Sequence, residues 1–147
     1  MKTVFLIEDN AADVDLFRMA LDSACVECQL VVFGDGCEVI DYIRPANGAP
    51  PQNVPDLVVL DLNLPKNDGV EILQIMRKLP AFASVSIVVF SSYFSNGERA
   101  TLSDLGIRGF ITKPPDLEEY LSIGQTVSKL LDNPDFRPEE MTRNAAS

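Results

Sequence analysis

The chain has 147 residues, 46% of them hydrophobic, which suffices for one core and is short for two comfortable domains. Its 22 Asp and Glu against 12 Lys and Arg leave a net charge of -10, which repels phosphate backbones and anionic membrane surfaces and argues against nucleic acid or membrane as a partner. Histidine is absent, which removes His-based catalysis, most zinc sites and a phosphohistidine carrier role.

Residues 3–7 are a β-branched and aromatic run that predicts a strand buried on both faces, and it ends in Glu8 and Asp9. Those acids come too soon for a signal peptide, and no stretch approaches the ~18 apolar residues of a membrane span, so the expected compartment is the cytoplasm. Residues 11–24 place Val14, Leu16, Phe17, Met19, Ala20 and Leu21 near helical spacing, with Asn10 as N-cap. Cys25, Cys28 and Cys37 are an odd set that suggests no disulfide framework. Cys25 and Cys28 have redox-motif spacing, yet they close a helix instead of opening one after a strand, and read as ordinary thiols.

Residues 29–33 predict a second strand, Gly34-Asp35-Gly36 a turn, and residues 37–44 a short helix with Val39, Ile40 and Ile43 on one side. Residues 45–54, interrupted by Pro45, Pro50 and Pro51, predict an exposed loop. Residues 57–60 form a continuous apolar run, the pattern of a central parallel strand, and the run stops at Asp61. In open parallel sheets ligands bind in the crevice beyond the carboxyl ends of the strands. Asp is also a preferred helix cap, so this stretch alone leaves both readings open.

Pro65, Asn67, Asp68 and Gly69 predict a turn, and residues 70–78 a helix bearing Val70, Leu73, Ile75 and Met76 that stops before Pro80. Residues 85–90 predict a fourth strand ending in Ser91 and Ser92, and residues 96–105 a weakly amphipathic helix stopped by Gly106. Residues 108–112 predict a fifth strand, ending in Lys113-Pro114-Pro115. Asp116 then caps a last helix with Leu117, Tyr120, Leu121, Ile123, Val127, Leu130 and Leu131 on its apolar side. The expected domain is residues 1–131, with residues 132–147 a charged tail outside the core.

Alternation of strand and helix predicts an α/β fold, a parallel sheet with helices on both faces and right-handed crossovers. Such a sheet brings Glu8, Asp9, Asp61, Ser91 and Lys113 to one edge. Carboxylates crowded together repel unless a cation holds them, and oxygen donors without His or Cys suit magnesium. Asp61 can then act as a nucleophile that accepts a phosphoryl group, with metal and lysine stabilising charge on the transferring oxygens. Singly, each residue has a plainer reading: helix-start acids, a turn hydroxyl, a surface lysine. Jointly they favour a site, because all lie at strand ends of one polarity.

On these residues the chain resembles the receiver domain of two-component response regulators, over about residues 2–131. The resemblance implies a doubly wound, flavodoxin-like five-stranded sheet in the order 2-1-3-4-5, flanked by five helices. It implies that Glu8, Asp9, Asp61 and the backbone carbonyl of Asn63 hold Mg2+, for which Mn2+ can substitute. Asp61 stands at the phosphoacceptor, Lys113 at the invariant lysine, Ser91 at the switch hydroxyl and Phe110 at the switch aromatic. Asn63, Ser92 and Tyr93 stand where the hydrolysis rate is tuned, and the Lys113–Pro114 bond is expected cis. The run Asp-Leu-Asn-Leu-Pro-Lys-Asn-Asp-Gly and the Pro/Gly loop are similar to stand-alone regulators of phytochrome-type sensor kinases.

The implied function is to accept a phosphoryl group from a sensor histidine kinase onto Asp61 and to signal by protein contact, with no turnover beyond its own phosphorylation and dephosphorylation. The implied partners are that kinase, a downstream phosphorelay protein, and a second copy meeting the face of the fourth helix, fifth strand and fifth helix or the adjoining tail, with Phe94, Ile107 and Tyr120 read equally as contacts of that face or as core residues. Two residues depart from the common pattern: Glu8 stands for an Asp, and Ser92 for an Ala or Thr. The rivals fit less well. A haloacid-dehalogenase-like phosphatase wants a second Asp where Asn63 stands, and a flavin module wants a glycine-rich phosphate loop where Glu8 and Asp9 stand. A phosphorylation-independent pseudo-receiver would not need the full set at the strand ends.

Overall fold

The apolar runs of the sequence become five parallel strands in a computed structural model that describes residues 1–44, 54–64 and 68–138. The strands are β1 Lys2–Ile7, β2 Cys28–Phe33, β3 Leu57–Asp61, β4 Ile87–Ser91 and β5 Gly109–Thr112, in the order β2-β1-β3-β4-β5. Every residue of β3 and β4 is buried, which is why these strands are apolar without alternation. Their pairing sets Asp61 beside Phe90 and Ser91 beside Thr112, so the strand ends share one edge.

Between the strands lie α1 Ala11–Ser23, α2 Gly36–Ile43, α3 Gly69–Lys78 and α4 Asn96–Asp104, and after β5 come α5 Leu117–Leu121 and α6 Ile123–Asp132. Asn10, Asp35, Asp68, Ser95 and Asp116 cap them by accepting backbone N–H groups. Successive strand residues point to opposite faces. Phe5, Ile7, Val58, Leu60, Ile87 and Val89 meet α2, α3 and Leu102 of α4 on one side. Val4, Leu6, Leu57, Val59, Val88 and Phe90 meet Phe17 and Leu21 of α1 and Ile123, Val127 and Leu130 of α6 on the other. Among the described residues no helix is long and apolar enough to cross a membrane.

The last of the five expected helices spans α5 and α6, which meet at Ser122, a residue in right-handed helical geometry whose N–H donates to the Glu118 and Glu119 carbonyls and whose hydroxyl also donates to the Glu119 carbonyl. Just beyond it, Gly124 lets α6 press on α1, since a Cβ there would collide with the Ala20 carbonyl. The tail is not all outside the core. Arg108 donates to the carbonyls of Leu130, Asn133 and Phe136 at 2.8, 2.7 and 2.9 Å, and Phe136 packs on the α1–α6 side of the sheet. Pro138 lies against Gly109, where a Cβ would come within 2.7 Å of its ring. A body ending at residue 131 is therefore too short. Residues 45–53 of the expected loop, residues 65–67 of the expected turn and residues 139–147 of the tail lie outside the described residues.

Candidate functional site

The carboxyl edge is built by pairing that runs just past the strands. After β1, the Glu8 N–H donates to the Phe33 carbonyl at 3.0 Å, and the Glu8 carboxylate accepts the Asn10 N–H at 3.1 Å. After β5, the Lys113 N–H donates to the Ser91 carbonyl at 2.8 Å. Asp61, the last residue of β3, accepts the Asn63 N–H on Oδ1 at 2.9 Å. Gly69 presses on this turn: a Cβ there would lie 2.9 Å from the Leu62 Cα. Backbone pairing thus fixes where each of these side chains leaves the sheet.

Lys113 sits at the centre. Its Nζ donates to Glu8 Oε2 at 2.7 Å, Asp13 Oδ2 at 3.0 Å and Asp61 Oδ2 at 3.1 Å, so all its protons are used. Glu8 and Asp61 are each only 4% exposed, whereas Asp9 faces solvent. Among the described residues Glu8, Asp9 and Asp61 form one group whose carboxylate oxygens lie within 4.8 Å of one another, a separation that suits a hard, oxygen-ligated cation. Three of the four residues of the expected metal set, Glu8 and Asp9 just past β1 and Asp61 at the end of β3, thus lie together.

The electrostatics follow from burial. Desolvation pushes the Glu8 carboxyl up to about 7 from an ordinary 4.5; the Lys113 hydrogen bond pulls the other way, and the nearby Asp61 charge adds to the rise. Burial alone would lower the Lys113 ammonium, but hydrogen bonds to Glu8 and Asp13 and the charge of Asp61 outweigh it and hold Lys113 above the usual lysine range. These contacts favour the charged form of Lys113.

Ser91 is fully buried at the end of β4. Its hydroxyl accepts from Asn63 Nδ2 at 2.8 Å and donates to the Tyr93 carbonyl at 3.2 Å. Asn63 thereby ties the Asp61 turn to Ser91. Ser92 is exposed and Tyr93 is 72% exposed, beside the site and not sealed over it. Phe110 is buried, edge-to-face with Phe94 at 5.2 Å, and the Arg99 guanidinium lies over both rings at 4.9 and 5.1 Å.

One expectation changes. The Lys113–Pro114 bond is trans, since no cis peptide occurs among the described residues. Trans is the intrinsic preference of an X–Pro bond, and Lys113 reaches its partners from it. Of the two readings of Phe94 and Tyr120, the packing favours the core one: Phe94 packs beside Phe110, and Tyr120 beside Phe90 at 5.7 Å. Ile107 packs part-buried against the same cluster as Phe94.

One residue was missed. Asp13, in the first turn of α1, meets Lys113 across 100 residues of sequence, and its carbonyl accepts the Tyr120 hydroxyl at 3.2 Å. The available signal was its place one turn beyond Asn10, at the same edge as Glu8.

The model of the response regulator receiver domain family matches residues 4–123. Response regulator Rcp1 of Synechocystis sp. is 25% identical over 126 residues, covering 86% of each chain. The crystal structure of its Mn(2+)-bound form superposes with a TM-score of 0.77 at 25% identity, covering 90% of this chain and 96% of that one. The phosphorylated cyanobacterial phytochrome response regulator RcpA superposes with a TM-score of 0.78 at 32% identity, covering 94% and 99%.

Proposed function

Because the chain belongs to the response regulator receiver domain family, we propose that Asp61 accepts a phosphoryl group from a sensor histidine kinase and that the change at Ser91 passes the signal to a partner protein. The observation that carries this reading is the Lys113 ammonium bridging the strand-end carboxylates of Glu8 and Asp61 at 2.7 and 3.1 Å. In the transfer, an Asp61 carboxylate oxygen forms a bond to phosphorus as the phosphorus–nitrogen bond of the donor phosphohistidine breaks. The imidazole leaves with that bond's electron pair and takes a proton from solvent. Lys113 offsets charge on the oxygens in flight, and the Asn63 N–H holds the Asp61 carboxylate in place. Glu8, Asp9, Asp61 and the Asn63 carbonyl would hold magnesium, or manganese in its place, which when bound supplies further positive charge to the phosphoryl oxygens.

A phosphoryl oxygen on Asp61 competes with the Tyr93 carbonyl for the Ser91 proton, and the charge-assisted bond is the stronger. Ser91 then turns toward Asp61. Phe110 is already buried before this happens, so the moving part is the segment after β4. Ser92, Tyr93 and Asn63 border the approach of water and set how long the phosphoryl group lasts. The chain acts on no substrate but its own phosphoryl bond, in the cytoplasm. A phytochrome-type kinase is the donor we favour, supported by the likeness to Rcp1 and RcpA, with a phosphorelay protein or a second copy as the readout.

The test is phosphotransfer from each histidine kinase of the same organism. One kinase should label the chain fastest, and Asp61→Asn should abolish the label; full labelling of that variant would overturn the assignment.

A further inference from the structure

Lys113 divides its protons among three carboxylates that differ in what else they can do. Glu8 and Asp61 belong to the group whose oxygens converge within 4.8 Å, and Asp13 does not. A cation drawn to that group competes with Lys113 for Glu8, because one carboxylate oxygen cannot serve both at full strength. Asp13 is then the remaining carboxylate that can keep the ammonium beside Asp61. It is well placed to do so. Its backbone N–H is fixed by the Asn10 cap at 3.2 Å, its carbonyl by the Tyr120 hydroxyl at 3.2 Å, and its side chain, 24% exposed, carries only the Lys113 contact among the polar contacts described.

We propose that Asp13 is a positioning residue that holds Lys113 over Asp61 while Glu8 serves the cation, an inference that rests on Asp61 being the phosphoacceptor. Asp13 touches no reacting atom and acts through the lysine. The ammonium is thereby oriented before the phosphodonor arrives, and preorganised charge costs no rearrangement during transfer. Asp13→Asn keeps the shape, the capped N–H and the carbonyl bonded to Tyr120, and removes the negative charge that anchors Lys113.

The experiment is a double-mutant cycle on the rate at which acetyl phosphate with magnesium labels Asp61. Asp13→Asn should slow labelling about fivefold when Lys113 is present and by less than about twofold in a Lys113→Ala background, whereas Asp13→Glu should restore most of the rate. Equal slowing by Asp13→Asn in both backgrounds would overturn the proposal. The same cycle on thermal unfolding in chelator involves no phosphoryl chemistry. Non-additive midpoints for Asp13→Asn and Lys113→Ala support the coupling and additive ones contradict it, even if wild-type protein failed to label at Asp61.

Discussion

Burial of Glu8 leaves a clear mark on its titration. Its carboxyl is raised to about 7, so between its ordinary 4.5 and that value the folded chain binds a proton that the unfolded chain has released. Stability from this group is complete below the ordinary value and is lost as pH rises through about 7. In chelator, the unfolding midpoint of Glu8→Gln should therefore gain on that of the wild type between pH 5 and pH 8; a constant difference would remove Glu8 from the account. Tyr93 supports a second prediction at this scale. It is 72% exposed and follows Ser91 beside the site, and on the proposed function its ring hinders the approach of water to Asp61. Tyr93→Ala should shorten the phosphoryl half-life, and an unchanged half-life would show that water reaches Asp61 by another route.

At the scale of elements, the turn between β3 and α3 joins the site to the core. Gly69 opens α3 with its Cα face against Leu62, and a Cβ there would sit 2.9 Å from both the Leu62 Cα and Cδ2. Gly69→Ala should cost about 1–3 kcal/mol by overpacking and slow labelling of Asp61, because the displaced backbone carries the nucleophile. Denaturant unfolding and the labelling rate check both; a variant as stable and as fast as the wild type would contradict the packing argument. The strands themselves were legible in the sequence, since a strand buried on both faces has to be apolar throughout. Asn10 and Asp116 were legible as caps, since a cap acts within its own turn. The irregular turn at Ser122 was not, because the helical pattern of apolar residues runs straight through it. The trans bond at Pro114 was missed because the family resemblance argued for the rarer isomer.

At the scale of the whole molecule, what escaped the sequence is what depends on distant partners. The link from Asp13 to Lys113 spans 100 residues, and the grip of Arg108 on Asn133 and Phe136 is made to backbone carbonyls that every residue possesses. Glu8, Asp9, Asp61 and Lys113, by contrast, announced themselves by standing at the ends of readable strands. Removing residues 133–147 would strip two carbonyl partners from the buried Arg108 guanidinium, whose Nε has no partner among the described residues. That truncation should cost on the order of 3 kcal/mol, read as a lowered denaturant midpoint. An unchanged midpoint would leave the segment without a structural role. A homodimer should appear in sedimentation when beryllofluoride mimics the phosphoryl group, although a net charge of -10 opposes it. A monomer in both states would assign the readout to a different protein.

On the proposed function, one chain carries nucleophile, cation ligands and lysine together and takes a phosphoryl group from a small donor. The direct measurement is intact mass after incubation with acetyl phosphate and magnesium, followed by mapping of the modified residue. A single added phosphoryl group should appear on Asp61, lost in chelator and absent from Asp61→Asn. A group on any other residue, or equal labelling of Asp61→Asn, would contradict it.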